Sequence, residues 1–296
     1  MTLPIPIPYL VLLILTGLVI GSFVNVVIHR LPRMMALQWR RECAELGASE
    51  AHTPTEDDDA HPQKNETYNL VVPRSSCPHC GHMIAATENI PILSYLWQRG
   101  RCAACRAPIS PRYPIIELLG ALLAAMAGLR FGLSWETLAA AVLGWSLLAA
   151  AAIDLETQLL PDSITLPLLW LGLLLNIDGL FVPLRDAVIG AMAGYLSLWL
   201  IYHLFRLLTG KEGMGYGDFK LLALLGAWFG WQLLPLTILL SSLVGALAGL
   251  SLMAFRRHHH EIPIPFGPYL AAAGWIALLW GHALTGAYLR FAHIGG

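Results

Sequence analysis

The sequence predicts an all-α polytopic membrane protein with about eight transmembrane helices and one small polar domain between helices 1 and 2. Composition is the first observation behind this fold class: 56% of the 296 residues are hydrophobic, 12% are charged, and mean hydropathy is +0.62. A soluble domain carries about 25% charged residues. Charge placement is the second observation, because no charged residue precedes His29 and about half of them lie between His29 and Tyr113.

Eight apolar segments are long enough to cross a bilayer, which requires about 20 residues in a helix. The sixth segment is the weakest, because glycine and glutamine dilute it, and seven spans remain an alternative. No basic residue precedes the first segment and no small-residue cleavage site follows it, so we expect it to stay in the mature protein. The predicted spans are 8–28, 114–132, 136–153, 163–182, 186–205, 218–234, 236–255 and 266–286.

These spans divide the chain into a first helix at 1–28, a polar domain at 29–113 and a seven-helix bundle at 114–296. Within the polar domain, residues 45–66 include four consecutive acidic residues at 56–59 and are expected to be solvated.

The distribution of Lys and Arg predicts the orientation in the membrane, since these residues accumulate on the cytoplasmic side. With the N-terminus outside, 15 of the 18 Lys and Arg residues fall in or beside the inward-facing segments. Only Arg130, Arg185 and Arg290 do not. We therefore expect a cytoplasmic polar domain and chain ends that face away from the cytoplasm. The net charge of -1 and pI near 6.8 provide no basic surface, which argues against a nucleic-acid partner.

Two Cys-x-x-Cys pairs separated by 21 residues lie in the polar domain. Each pair can bind one tetrahedral cation from a tight turn, and two pairs complete a four-sulfur shell. A short polar segment has few other ways to hold a core, which favours structural zinc over two metal-free thiol pairs. His79 and His82 can replace a thiolate, but fit better as surface residues or partners of the ligands. The predicted zinc ligands are Cys77, Cys80, Cys102 and Cys105.

Carboxylates cluster at the predicted cytoplasmic ends of the spans. Asp154 ends the third span, Asp162 opens the fourth, and Asp218 opens the sixth within Gly-Tyr-Gly-Asp. Ionisable groups at the edge of an apolar helix are costly and are therefore functional candidates. For one isolated aspartate, a helix cap or a helix interface is the simpler explanation.

Two neighbouring carboxylates cannot both ionise easily, so one acts as an acid and the other as a base. Such a pair can hydrolyse an amide without a metal or a covalent intermediate. Gly215 and Gly217 are expected to allow the backbone to approach this site closely. Lys220 either biases the pair toward ionisation or extends to lipid head groups, and its position favours the head groups.

With these residues in view, the chain resembles the type IV prepilin peptidase family over nearly its whole length. The shared motifs, in order, are Gly21-Ser-Phe-Val-Asn25-Val, the two Cys-x-x-Cys pairs, Asn89-Ile-Pro-Ile-Leu-Ser-Tyr95, Ser110-Pro-Arg-Tyr-Pro114 with Glu117, the stretch 154–162, and Gly215-Tyr-Gly-Asp-Phe-Lys220.

The resemblance implies a GxGD-type aspartic endopeptidase of the bacterial inner membrane, with Asp154 and Asp218 as catalytic carboxylates. It matches Asp162 to a position not usually given that role. It implies cleavage of type IV prepilins and type II secretion pseudopilins after a glycine, between a basic leader and an apolar helix. It also implies methylation of the new α-amine from S-adenosylmethionine, an activity linked to the zinc-binding domain.

Asn25 and Glu117 are candidates for the methyl transfer, because both lie a few residues inside the cytoplasmic ends of spans one and two. An interhelical hydrogen bond explains Asn25 at least as well. Glycines at 190, 194, 245 and 249 are interpreted as helix-packing positions.

Two other classes of function remain. In a transporter or channel, Asp154 and Asp218 would bind a cation or relay protons, but such sites usually lie near the middle of the membrane. A membrane scaffold that recruits a partner through its zinc module leaves the boundary carboxylates without a role.

Overall fold

The computed structural model describes residues 6–50, 68–211, 213–255 and 265–291, so the acidic stretch 56–59 lies outside the described residues. Within these ranges the regular structure is helical, with two isolated β-bridges and no strand. The α-helices are α1 (Ile7–Glu50), α2 (Leu93–Trp97), α3 (Arg112–Phe131), α4 (Trp135–Thr157), α5 (Asp162–Leu175), α6 (Leu184–Thr209), α7 (Tyr216–Phe229), α8 (Leu234–Phe255) and α9 (Gly267–Phe291).

Six of these helices are long and apolar enough to cross a membrane, which confirms the all-α polytopic class. They are α1, α3, α4, α6, α8 and α9. The predicted fourth and sixth spans form α5 and α7, which have only 14 residues each. Fourteen helical residues extend about 21 Å, less than the ~30 Å hydrocarbon core. Both helices stop early because Asn176 caps α5 and Gly230, at a φ of 79°, ends α7.

The first helix is much longer than the predicted span 8–28 and continues through Pro32 to Glu50. The described chain forms two compact units, of which one is Leu18–Leu118 and the other combines the N-terminal part of α1 with Leu119 onwards. The units divide inside α1 and α3, whereas the predicted domain boundaries lie after residues 28 and 113.

Contacts at both ends show that α5 and α7 run parallel to each other. Lys220 near the start of α7 pairs with Asp162 at the start of α5, through N–O distances of 2.7 Å. At the other end, the buried Asn176 side chain donates to the carbonyls of Ala227 and Trp228 at 2.9 and 3.1 Å. Helix α6 therefore returns the chain between two short helices of the same direction, which keeps the alternation expected for the eight predicted spans.

Helix α7 lies in the centre of its unit, although its sequence made it the weakest predicted span. All residues from Asp218 to Phe229 except Lys220 are buried. Glycines allow α6 to contact its backbone, since a Cβ on Gly190 would lie 2.3 Å from the carbonyl oxygen of Gly226. A Cβ on Gly194 would lie 2.6 Å from the carbonyl oxygen of Leu222. These contacts agree with the predicted packing role of Gly190 and Gly194.

Candidate active site and metal centre

Asp154 lies in the last turn of α4 and is 5% exposed. Helix α4 ends three residues later, where Gln158 adopts a left-handed conformation and turns the chain toward α5. The Oδ2 atom of Asp154 accepts a hydrogen bond of 3.0 Å from the backbone N–H of Gly267, at the start of α9. This carboxylate is therefore held in place by a donor from a different helix.

Asp218 lies in the first turn of α7 and is 6% exposed. It shares a cavity of about 480 Å³ with Asp154, and the two carboxylates are close enough to interact electrostatically. Its Oδ1 atom has no hydrogen-bond partner among the described residues. A buried carboxylate oxygen without a donor is costly in a folded protein, and such an atom is available to a substrate or a water molecule.

Helix termini supply the electrostatic environment of this site. The N-terminal ends of α5, α7 and α9 meet there, since Asp162, Asp218 and the N–H of Gly267 belong to their first turns. A helix N-terminus carries a partial positive charge of about half a unit. Three such termini favour negative charge at the cavity and offset the negative end of α4, which carries Asp154.

Lys220 and Asp162 form an ion pair at the edge of this site. The Lys220 ammonium lies 2.7 Å from both Asp162 carboxylate oxygens, and both residues line the cavity. Neither interpretation of Lys220 from the sequence included this ion pair. Because the pair joins the starts of α5 and α7, it can hold the two helix ends at a fixed spacing beside Asp218.

The two glycines predicted to support this site differ in their surroundings. A Cβ on Gly217 would lie 2.7 Å from the Cβ of Leu160, so the close approach exists there. A Cβ on Gly215 would meet nothing within 4 Å. Gly215 instead precedes α7 as its N-cap, and its carbonyl oxygen accepts a hydrogen bond of 3.3 Å from the backbone N–H of Asp218.

Gly267 is the site residue that the sequence did not reveal. A Cβ at this position would lie 2.5 Å from Oδ2 of Asp154, so only glycine lets the N–H reach the carboxylate. The one signal in the sequence is a glycine followed by proline at the start of the last apolar segment, which is common at helix starts and indicates no chemistry by itself.

The four predicted zinc ligands come together in the unit Leu18–Leu118. The sulfur atoms of Cys77, Cys80, Cys102 and Cys105 all lie within 4.8 Å of one another, and none forms a disulfide. The Cys77 and Cys105 sulfurs are 3.8 Å apart. Zinc–sulfur bonds of ~2.3 Å in a tetrahedron place sulfurs about 3.8 Å apart, so the cluster fits a zinc ion.

Each Cys-x-x-Cys pair lies in a tight turn, called a metal knuckle below. The two knuckles have the same backbone hydrogen bonds at positions 25 residues apart. The backbone N–H of Cys77 donates to the carbonyl oxygen of His82 at 2.9 Å. The backbone N–H of Cys102 donates to the carbonyl oxygen of Ala107 at 2.8 Å. Gly81 and Arg106 occupy equivalent positions with φ values of 72° and 61°. A left-handed conformation suits glycine, whereas arginine adopts it at a cost.

Backbone donors favour the thiolate, the form that binds metal, at one cysteine of each pair. At Cys80 the N–H of His82 has the same effect, but burial and the neighbouring sulfurs outweigh it and raise the pKa to about 11. N–H groups of His79 and Cys80 hydrogen-bond the Cys77 sulfur and lower its pKa to about 7. N–H groups of Cys105 and Ala104 lower the pKa of Cys102 in the same way.

His82 and Cys43 lie outside the cluster of four cysteines. His82 pairs with the Glu88 carboxylate at 3.0 Å, which agrees with its interpretation as a residue outside the ligand shell. Cys43 is exposed on α1 as a free thiol.

Asn25 and Glu117 meet where α1 crosses α3. A Cβ on Gly21 would lie 2.7 Å from the Cα of Glu117, so the helices touch there. The Asn25 amide donates to the Tyr113 carbonyl at 3.1 Å, which is the interhelical hydrogen bond considered from the sequence, while its buried Oδ1 has no partner within the described residues. Glu117 is 8% exposed and accepts a 2.8 Å hydrogen bond from the N–H of Ile92.

Two protein-family models match this chain. Residues 15–131 match the model of the Bacterial Peptidase A24 N-terminal domain, and residues 141–250 match that of the Type IV leader peptidase family. The chain belongs to the type IV leader peptidase family. Both predicted aspartates fall within the second match, and the four cysteines, Asn25 and Glu117 fall within the first.

Relatives in this family are similar over nearly the full chain. The prepilin leader peptidase/N-methyltransferase of Aeromonas salmonicida strain A449 is 59% identical over 95% of this chain and 94% of its own. Proteins of the same name from Pseudomonas aeruginosa and Burkholderia pseudomallei are 55% and 54% identical, over 97% and 90% of this chain and 96% and 84% of their own. No solved structure matches the chain.

Proposed function

We propose that this leader peptidase family member removes the leader from type IV prepilins and pseudopilins and then methylates the new N-terminal amine. The observation that carries the proposal is the pair of buried aspartates on one cavity, at the meeting point of three helix N-termini. The names of close relatives support the same two activities.

In the proposed cleavage, one carboxylate takes a proton from water as the water oxygen attacks the peptide carbonyl carbon. The other aspartate, in its protonated form, donates its proton to the leaving nitrogen, the C–N bond breaks, and an acid and an amine are released. Asp154 is oriented by the N–H of Gly267, while Oδ1 of Asp218 is open to a water or substrate proton. The position of both groups at helix ends, rather than mid-helix, favours a peptidase over a transporter.

The substrate is expected to arrive through the lipid bilayer. A prepilin inserted in the inner membrane keeps its basic leader in the cytoplasm, so its scissile bond lies near the cytoplasmic boundary. The Lys and Arg distribution supports placing the polar domain and both aspartates on that side, with the chain ends in the periplasm.

For methyl transfer we assign Glu117 and Asn25 to the amine. Bound S-adenosylmethionine supplies an electrophilic methyl group. The Glu117 carboxylate can hold the substrate ammonium and take its proton, and the unpartnered Oδ1 of Asn25 can accept a further N–H. The four cysteines would hold a structural zinc ion that fixes the fold of this domain.

Mass spectrometry of a prepilin incubated with the protein and S-adenosylmethionine in membranes tests the proposal. We expect loss of the leader and, only when the donor is present, addition of one methyl group to the mature N-terminus. A transporter or scaffold would give neither product, and an uncut prepilin in the presence of folded protein would contradict the proposal.

A further inference from the structure

A second cavity, of about 270 Å³, lies within the unit Leu18–Leu118 and has no part in the cleavage or in the metal centre. One wall is a face of α1 formed by Phe23, Val26 and Arg30, which follow one another at helical spacing. The opposite walls come from residues 70–75 and 84–89. The cavity therefore has both apolar and polar walls, with one charged side chain on α1.

Arg30 is buried, with 7% of its surface exposed. Its Nη1 and Nη2 atoms donate to the carbonyl oxygens of Asn69 and Pro73 at 2.9 and 2.5 Å, and its guanidinium faces the ring of Tyr68. In the part of the chain that the structure describes, no acidic group forms an ion pair with it. A buried charge is expensive unless it is paired, and a guanidinium has five N–H donors in a fork that fits a carboxylate.

A second cation reinforces this imbalance, because Arg74 also lines the cavity. Among the residues that line the cavity, Arg30 and Arg74 are charged and none is acidic. The local charge balance therefore favours a small anionic group in the cavity.

Two segments connect this cavity to the proposed methyl-transfer residues. On α1, Asn25 lies between the cavity residues Phe23 and Val26. The segment that supplies Asn89 to the cavity wall continues to Ile92, whose N–H binds Glu117. The cavity and the groups assigned to the amine are thus linked through α1 and through the segment 84–92.

We propose that this cavity binds the carboxylate of the methyl donor, with Arg30 as its principal partner; this rests on the methyl transfer proposed above. S-adenosylmethionine ends in an amino acid, whose carboxylate matches the guanidinium fork. The apolar wall of Phe23 and Val26 suits the methylene chain beside it. Arg30 would be a specificity-determining residue that does not touch the transferred methyl group.

The test compares S-adenosylmethionine with its decarboxylated form, which lacks only the carboxylate. For the unmodified enzyme in membranes we expect kcat/KM for methylation to fall by about 10- to 100-fold with the decarboxylated donor, the range for a charged hydrogen bond. Arg30→Gln should lose most of this discrimination, because its activity with the normal donor falls and its activity with the decarboxylated donor changes little. Arg30→Lys should retain part of it, since it keeps the charge but not the fork.

Binding of radiolabelled S-adenosylhomocysteine, which keeps the carboxylate, provides a readout independent of catalysis and should weaken in Arg30→Gln. Arg33→Gln is the matched control, because Arg33 is exposed on the same helix and does not line the cavity. Zinc content and thermal unfolding show whether each variant is folded.

Equal activity of the unmodified enzyme with both donors would overturn the inference without needing any variant. Unchanged discrimination in folded Arg30→Gln and Arg30→Lys would overturn it as well. If phosphatidylglycerol vesicles, but not phosphatidylcholine vesicles, displace the radiolabelled S-adenosylhomocysteine, the cavity binds a lipid phosphate and the inference is rejected. If the unmodified enzyme cleaves a prepilin but methylates with neither donor, the proposed methyl transfer fails, and the binding measurement alone then decides the cavity.

Discussion

Single residues at the aspartate site have distinct tasks that follow from their contacts. Asp154 is fixed by a backbone donor from α9, whereas Asp218 keeps one oxygen without a partner in the described chain. Gly217 and Gly267 leave room for their neighbours because they have no side chain. A Cβ on Gly217 would overlap Leu160, and a Cβ on Gly267 would overlap Asp154.

The two glycines of the Gly-Tyr-Gly-Asp motif should respond differently to alanine. Gly217→Ala forces Leu160 away and shifts the start of α7, so we expect prepilin cleavage to fall by about 10²-fold, the cost of a displacement near 1 Å. Gly215→Ala meets no atom and should cleave at nearly the normal rate. Initial cleavage rates in membranes check both, and equal rates for the two variants would contradict this assignment.

Arg106 should be a strained position in the second metal knuckle. Arg106→Ala and Arg106→Gly both remove the side chain, but only glycine relieves the left-handed backbone. We therefore expect the glycine variant to be more stable than the alanine variant by about 1 kcal/mol. Zinc release to a chelator during denaturation measures the difference, and a more stable alanine variant would refute the strain.

At the scale of helices, α5 and α7 form a parallel pair that is fastened at both ends. The ion pair of Asp162 and Lys220 joins their starts near the aspartates. Asn176 joins their far ends, where its Oδ1 also accepts the N–H groups of Phe181 and Val182. A partly exposed ion pair contributes little stability, so the buried amide is the stronger fastening.

Asn176→Leu should therefore destabilise the protein by at least about 2 kcal/mol, because it leaves buried N–H and C=O groups without partners. Thermal unfolding in detergent measures this loss. Asp178→Asn, an exposed change in the same loop, is the control and should unfold like the unmodified protein. Similar unfolding of both variants would show that Asn176 does not join the helices.

The sequence predicted which segments are helical, because their apolar composition indicates it. It did not predict the lengths of the short helices α5 and α7. The eight apolar segments correspond to α1 and α3–α9, because a continuous apolar run of about 20 residues crosses a bilayer as a helix. The early end of α5 depends on the long-range contacts of Asn176, which no local pattern encodes, whereas α7 ends at Gly230, a local signal that the predicted span 218–234 ran past. In the site, charge and spacing indicated Asp154, Asp218 and the cysteines, whereas Gly267 acts through its backbone and left no chemical signal.

For the whole molecule, the central question is which helix ends share one side of the membrane. The hydrogen bond from α9 to Asp154 and the shared cavity place the end of α4 and the starts of α7 and α9 together. The distribution of Lys and Arg predicts that this side is cytoplasmic.

Alkaline phosphatase fusions, which are active only outside the cytoplasm, test this orientation. Fusions after Gly179 and after Phe291 should be active, and a fusion after Lys211 should be inactive. The fusion at Gly179 reports whether the short helix α5 carries the chain across. The reverse pattern would contradict the orientation, and an inactive Gly179 fusion would remove α5 from the set of spans.

The most direct test of the whole proposal is the single-turnover rate of prepilin cleavage by Asp154→Asn and Asp218→Asn, with zinc content and thermal unfolding verified for each. The substitution keeps the shape of the side chain and removes its proton exchange, so we expect each variant to be folded and zinc-loaded with a rate lowered at least about 10²-fold. Asp178→Asn should cleave normally. A folded variant of either aspartate that cleaves at the normal rate would contradict the paired-carboxylate mechanism.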